Sequence, residues 1–224
     1  MKIDFRSPAV LATVAAVILI VAGPGWWLYS QSAKEEQRVA VAAIVAAATK
    51  SIALTLSLRG AEGEAAELDK LVAAAEGPLS ALRGFPGRRE PAVFEAAEQY
   101  LADAQRAMRR QAVLVRVREV TAASQNALMA HMARAENRSD EWIREAVALR
   151  QKLEKDFYEF RTSSAAYSSA LDALPASRGK VLELLPGAAV YDQAALGKVQ
   201  TRAAEDARVA AEELEALKRL PPPR

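Results

Sequence analysis

The stretch AENRSDEW, residues 135–142, decides whether this chain folds as a long rod or as a bundle of helices. It lies within 83 residues, 92–174, that contain neither glycine nor proline and are therefore predicted to be helical. One helix of that length would extend about 125 Å at 1.5 Å per residue. Asn137 or Ser139 can instead cap a new helix, whose positive first turn the acidic residues 140–141 would suit. The sequence favours a turn here, and a continuous coiled-coil stalk is the alternative.

Glycine and proline divide the rest of the chain into helical segments. The clearest loop is GFPGRREP, residues 84–91, and a second irregular zone spans 175–187. In the segments between and after these breaks, apolar residues recur at three- and four-residue spacing, which is typical of helices packed on a core. The helices are predicted at about 31–59, 62–83, 92–137, 140–174 and 189–219. The predicted fold class is therefore all-α, with an antiparallel bundle of four to five helices.

Two short stretches depart from the helical pattern. IALTLSL (52–58) and VLVRV (113–117) alternate apolar and polar residues as strands do. Their flanks are rich in Ala, Glu, Lys and Arg, which favours helix, and a short β-hairpin between them is the alternative.

The amino-terminal segment is predicted to be a transmembrane anchor at residues 7–29. Its stretch PAVLATVAAVILIVAGPGWWLY has the length of about 20 residues that crosses a bilayer core. Trp26, Trp27 and Tyr29 occupy the position of an aromatic belt at the membrane interface. Pro24 and Gly25 are expected to end the helix near its outer end, with a kink that acts as a hinge as the alternative. The alternative is a cleaved signal peptide.

Charge sets the predicted orientation of the anchor. Basic residues precede the span, so residues 1–6 are expected in the cytoplasm. Residues 30–220 would then form a periplasmic bundle on a bacterial inner membrane, followed by a Pro-rich tail at 221–224. The expected partners are the lipid bilayer and other membrane or periplasmic proteins, including a second copy of this chain. The net charge of only +2 gives no basis for nucleic-acid binding.

No residue pattern predicts catalysis, a cofactor or a metal. His131 is the only histidine and is expected to be a satisfied or solvent-facing helix residue, since no second histidine can join it. Carboxylates three residues apart, at 95 and 98 and at 156 and 159, have no histidine partner and are interpreted as solvated helix faces. There is no cysteine, which excludes disulfides and thiol chemistry. The chain is therefore predicted not to be an enzyme.

One aromatic cluster and two basic pairs are candidate contact residues. The cluster KDFYEFRTSSAAY, residues 155–167, is predicted to pack in the core and expose one ring, or to form a patch for a partner or ligand. That possible patch comprises Phe157, Tyr158, Phe160 and Tyr167. The basic pairs, at 88–89 and 109–110, are interpreted as solvated and ion-paired residues, with anionic lipid or an acidic partner as the alternative.

A membrane span followed by helices such as ALTLSLRG and SQNALMAHM resembles the outer domains of bacterial chemoreceptors and sensor kinases. The resemblance is architectural and implies a helical bundle, although those sensors also have a second span and a cytoplasmic output domain, which are not expected here. The chain is predicted to be a membrane-anchored interaction or scaffold protein in a cell-envelope or membrane-protein complex. The alternative is an accessory ligand-sensing bundle without its own cytoplasmic output.

Overall fold

A computed structural model of the chain describes residues 8–58, 64–134 and 139–219, with the backbone alone for 8–30 and 64. These residues form helices and connecting turns and contain no strand, which confirms the all-α prediction. VLVRV is helical, and IALTLSL is helical up to Ser57, where α1 ends. The described helices are α1 (Pro8–Ser57), α2 (Glu64–Ala74), α3 (Glu76–Arg83), α4 (Pro91–Ala133), α5 (Asp140–Asp172), α6 (Leu174–Leu184) and α7 (Gln193–Arg219).

Helices α4 and α5 form an antiparallel hairpin whose turn lies in the predicted place. The Ser139 side chain caps α5 by accepting a hydrogen bond from the Trp142 backbone N–H at 3.2 Å. The Trp142 ring stacks on His131 of α4, with 4.9 Å between ring centroids. Farther along the hairpin, Arg118 of α4 lies over the Phe160 ring of α5. The continuous stalk is therefore excluded, while Asn137, the other candidate cap, lies outside the described residues.

Helix α1 runs parallel to α4 and packs beside its first half. Thr49 of α1 lies 3.4 Å from the Tyr100 hydroxyl, and Gln111 of α4 donates to the Leu58 carbonyl at 3.0 Å. The partners of these two contacts are 51 and 53 residues apart in sequence, and this nearly constant offset means that the two helices run in the same direction. Helices α2 and α3 return in the opposite direction between them and pack against both.

Helix α7 completes the bundle by packing antiparallel to α5. Near its end, the Leu217 carbonyl accepts a hydrogen bond from Arg150 at 3.0 Å. Near its beginning, Gln200 donates to the carbonyl of Leu171 at 3.4 Å. Seven apolar residues predicted this helix, and all but Ala207, which is half-buried, lie in the core: Leu196, Val199, Ala203, Ala210, Leu214 and Leu217.

The core combines alanine-lined helix contacts with a few large side chains. Tyr100 and Phe94 are the largest fully buried residues, and the Tyr100 hydroxyl accepts a hydrogen bond from the Tyr191 backbone N–H at 2.9 Å. This bond ties the segment between α6 and α7 to α4. Buried alanines separate the large residues and permit close helix packing: Ala48, Ala97, Ala104, Ala107, Ala170, Ala203 and Ala210.

Several predicted helix boundaries differ from the structure. The helix stop predicted at Pro24 and Gly25 is wrong, because α1 continues through both residues; a proline removes one helical hydrogen bond, and the others continue past it. The predicted helix 62–83 is divided at Ala75, where Pro78 falls in the first turn of α3 and needs no donor there.

The second irregular zone contains a helix that the sequence did not predict. Helix α6 begins directly after α5, and Pro175 occupies its first turn, where the missing N–H costs nothing. The chain then turns at Gly187, whose φ of +87° favours glycine, and α7 begins at Gln193 rather than at about 189. Among the described residues, all five predicted segments are helical, the second of them as two helices, and α6 is an additional short helix.

Helix α1 includes the apolar amino-terminal stretch of the chain. Among residues whose side chains are described, Gln31–Ser57 is long and apolar enough to cross a membrane, although core helices and signal sequences share those properties. The side chains of the predicted anchor at 7–29 lie outside the described residues. The helical backbone from Pro8 onward connects that segment to the bundle without a break.

Candidate functional site

The predicted aromatic patch is mostly core. Phe157, Phe160 and Tyr167 are 5 to 9% exposed and share the buried face of α5. Tyr158 points away from that face and is 60% exposed. Burial raises the pKa of the Tyr167 hydroxyl. The cluster therefore packs in the core with one exposed ring, the first of the two predicted arrangements, and the four rings do not form one surface. Trp26, Trp27 and Tyr29 lie outside the described side chains, so their membrane-interface role stays a prediction.

His131 is a satisfied helix residue, as predicted. Its Nε2 lies 3.0 Å from the Trp142 carbonyl oxygen, and the Trp142 indole N–H donates to the His131 carbonyl at 3.3 Å. The imidazole thus closes the end of the α4–α5 hairpin. No group of three acidic or histidine side chains suited to hold a metal occurs within the described residues.

Asp156 is a buried carboxylate, which corrects its interpretation as part of a solvated face. Its side chain accepts hydrogen bonds from Ser124 at 2.5 Å and Lys152 at 2.8 Å. Burial alone would raise the pKa of Asp156, but these hydrogen bonds and the charges of Lys152 and Lys155 lower it below its ordinary value. The sequence did not reveal this burial because Ser124 lies on a different helix. Glu159 is exposed, as predicted.

Helix α1 is fixed to the bundle along its inward face. Val41, Val45, Ala48, Ile52 and Leu56 are at most 2% exposed and follow one another at three- and four-residue spacing. These residues pack into the same core as the first half of α4.

Polar contacts hold both ends of this packed segment. Arg38 forms a two-pronged ion pair with Glu90, with N–O distances of 2.6 and 2.9 Å. Gln37 donates to the Gly87 carbonyl at 2.7 Å and accepts from the Arg89 N–H at 3.0 Å. At the other end, Gln111 donates a hydrogen bond to the carbonyl of Leu58, directly after α1. Together these contacts fix which face of α1 points into the core.

The outward face of α1 is exposed and apolar. Val39 is 61% exposed and Leu54 58%, and the exposed residues between them include Ala43 and Ala47. Lys50 is the only charged residue from 39 to 58, and it forms no ion pair within the residues the structure describes. We call Val39, Ala43, Ala47, Lys50 and Leu54 the α1 outer stripe.

The α1 outer stripe is the candidate functional site. It has no nucleophile, acid–base pair or metal-ligand set, so its chemistry is restricted to packing against another apolar surface. The sequence indicates an apolar helix here, because residues 39–49 contain no charged residue. Periodicity alone does not reveal which side of such a helix the bundle covers. Comparison with protein-family models, with curated proteins and with solved structures finds no match to this chain.

Proposed function

We propose that this protein is a non-enzymatic, single-pass membrane-anchored subunit of a bacterial envelope complex. Its bundle would lie on the periplasmic side of the inner membrane and bind a helix of another subunit along the α1 outer stripe. The observation that carries the proposal is the stripe itself, an exposed apolar face on a helix that is continuous with the apolar amino-terminal segment.

The apolar character of α1 on both sides supports binding of another apolar surface to its exposed side. A helix that is hydrophobic all round is normally buried in a large core or in a membrane. Here the bundle buries the side that contains Val41 and Ile52, while Val39 and Leu54 on the other side remain exposed. Ala43 and Ala47 have small side chains, which would let a second helix approach closely.

The partner we propose is a helix of a different protein that leaves the same membrane beside α1. Such a helix would be parallel to α1 if both chains had the same orientation. Two copies of this chain, aligned in that way, would place one Lys50 against the other, which is unfavourable. We therefore expect small or apolar residues on the partner helix and a carboxylate opposite Lys50.

Site-specific photocrosslinking in native membranes tests the proposal. A photoreactive residue replaces Ala47 in the stripe or, as a matched control, Ala127, an exposed alanine on α4. We expect one discrete product from position 47, mapped by mass spectrometry to a helix with an acidic residue, and no such product from position 127.

Charge variants refine the same experiment. Lys50→Glu should abolish the product, because it would oppose the partner's carboxylate, whereas Lys50→Arg should retain it. Identical products from both probe positions would contradict a specific surface. A product that contains only this chain would show that the occupant is a second copy rather than a different subunit.

A second candidate function, ligand sensing, is supported by one cavity. A space of about 210 Å³ opens between α4, α5 and α7, beside Phe157. Its wall is mostly apolar and includes Leu128, Met129 and Leu217. A screen of small apolar metabolites by thermal unfolding tests this function: a ligand should raise the midpoint for the natural chain and not for Met129→Trp, which would fill the space.

A further inference from the structure

A basic groove between α3 and α4 lies apart from the α1 outer stripe. The groove has a volume of about 490 Å³. Its rim contains four guanidinium groups, and its wall contains three aliphatic side chains and one amide. The basic members are Arg83, Arg106, Arg109 and Arg110, and the others are Leu79, Ala102, Gln105 and Val113.

Neighbouring carboxylates neutralise only half of this positive charge. Arg109 pairs with Glu76 of α3 at 2.8 Å, and Arg106 pairs with Asp103 at 3.1 Å. Arg83 and Arg110 have no carboxylate partner among the residues that the structure describes. The groove therefore has an excess of about two positive charges, with guanidinium groups supplied by both helices.

Gln105 adds a neutral hydrogen-bonding group to the groove. Its side chain lines the groove, and the residue is only 7% exposed. Within the described part of the chain its amide has no hydrogen-bond partner. The amide atoms themselves remain accessible from the groove, so they can meet a ligand there without first breaking a bond within the described residues. The amide NH₂ can donate to an oxygen that the arginines also contact.

We infer that this groove binds an organic phosphate. Guanidinium groups are planar donors that match two oxygens of a phosphate, and a phosphate dianion balances the excess charge. The volume exceeds what one phosphate needs, and Leu79 and Val113 provide apolar contact for an organic substituent. No aromatic ring lines the groove, so stacking of nucleic-acid bases has no support there.

The phosphate could belong to a free metabolite or to a phospholipid headgroup, and binding measurements separate these sources. The full chain is placed in nanodiscs of neutral phosphatidylcholine, and glycerol 1-phosphate is titrated by calorimetry. In the second arm, the full chain is purified in a neutral detergent, and its retention of added phosphatidylglycerol is compared with its retention of added phosphatidylcholine by native mass spectrometry. Saturable binding in the first arm indicates a free phosphate, and selective retention of phosphatidylglycerol in the second indicates a headgroup.

Charge variants assign the binding to the groove. Arg83→Gln and Arg110→Gln should each weaken binding about tenfold, the effect of losing about 1.4 kcal/mol of charge-assisted hydrogen bonding. Arg144→Gln removes the same charge from an exposed position on α5 and should change the affinity by less than about twofold. Gln105→Leu should weaken binding and leave the helical circular dichroism unchanged.

Two outcomes would overturn the inference. One is no saturable binding in either arm at millimolar phosphate, with folded protein confirmed by circular dichroism. The other is an equal loss of affinity in Arg144→Gln, which would reveal general charge attraction instead of a site. Photocrosslinking from position 47 does not depend on the groove, so failure here leaves the proposed function standing.

Discussion

Two buried serines illustrate how the same side chain can have opposite effects on stability. Ser124 donates to Asp156, whereas the Ser164 hydroxyl, fully buried, has no partner among the described residues. We expect Ser164→Ala to leave the free energy of unfolding unchanged or to raise it by up to about 1 kcal/mol, because it removes an unsatisfied polar group. Ser124→Ala should lower it by about 1–3 kcal/mol. Urea unfolding followed by circular dichroism measures both, and a loss in Ser164→Ala as large as that in Ser124→Ala would refute the assignment.

Asp156 should make stability depend on pH in the acidic range. Because its pKa is lowered in the folded state, its contribution is complete above the unfolded value, about 3.9, and is lost as the pH falls through the folded value. Asp156→Asn should therefore cost about 1–2 kcal/mol at pH 7, and the difference from the natural chain should disappear near pH 2. Glu159→Gln, an exposed change on the same helix, should stay within about 0.5 kcal/mol at both pH values. An Asp156→Asn deficit that persists at pH 2 would indicate a packing effect instead.

The start of α5 depends on one capping side chain. Ser139 accepts the Trp142 N–H, and the next two residues, Asp140 and Glu141, lie in the positive first turn. Ser139→Ala should lower the free energy of unfolding by about 0.5–2 kcal/mol, whereas Ser139→Asp should retain nearly all of it, since aspartate caps equally well. Equal losses in both variants, measured by urea unfolding, would mean that the hydroxyl does not act as a cap.

The helices were predictable where local chemistry decides them. Ser139 and the acids after it are a local signal, so the α4–α5 hairpin follows from the sequence. Pro175 misled the prediction, because a proline can either end a helix or begin one, and the choice depends on what the next turn packs against. Pro78 lies within the predicted helix 62–83, which the structure divides at Ala75. Val181 of α6 is 1% exposed. Its burial depends on contacts distant in sequence that no short pattern reports.

The arrangement of the whole molecule explains why the candidate site was only partly predictable. A helix at about 31–59 was predicted at the amino-terminal end of the bundle, and the chain was expected to act by binding other proteins. The exposed side of α1, however, is defined by α2, α3 and α4, which cover the side that contains Val41 and Ile52. The buried state of Phe157 and Phe160 likewise follows from assembly of the bundle, which is why aromatic density alone left core packing and a surface patch as alternatives.

Anchoring and folding should be separable in this molecule. Among the α1 residues whose side chains are described, Gln37 hydrogen-bonds to the loop before α4, and Val41 is the first that is buried in the core. A chain that starts at Gln31 should therefore retain a cooperative unfolding transition within about 1 kcal/mol of the full chain. It should also leave the membrane in a carbonate wash that the full chain resists.

A shorter chain supplies the contrast. Starting at Thr49 removes Val41, Val45 and Ala48 from the core, and each buried valine contributes about 1.5–3 kcal/mol. Because a domain of this size is stable by only about 5–15 kcal/mol, this chain should lose its cooperative transition or most of its stability. If the chain from Gln31 also failed to fold, residues before Gln31 would be part of the bundle rather than a tether. If it folded but resisted the carbonate wash, the membrane contact would reside in the bundle, and the α1 outer stripe would be the first surface to test for lipid.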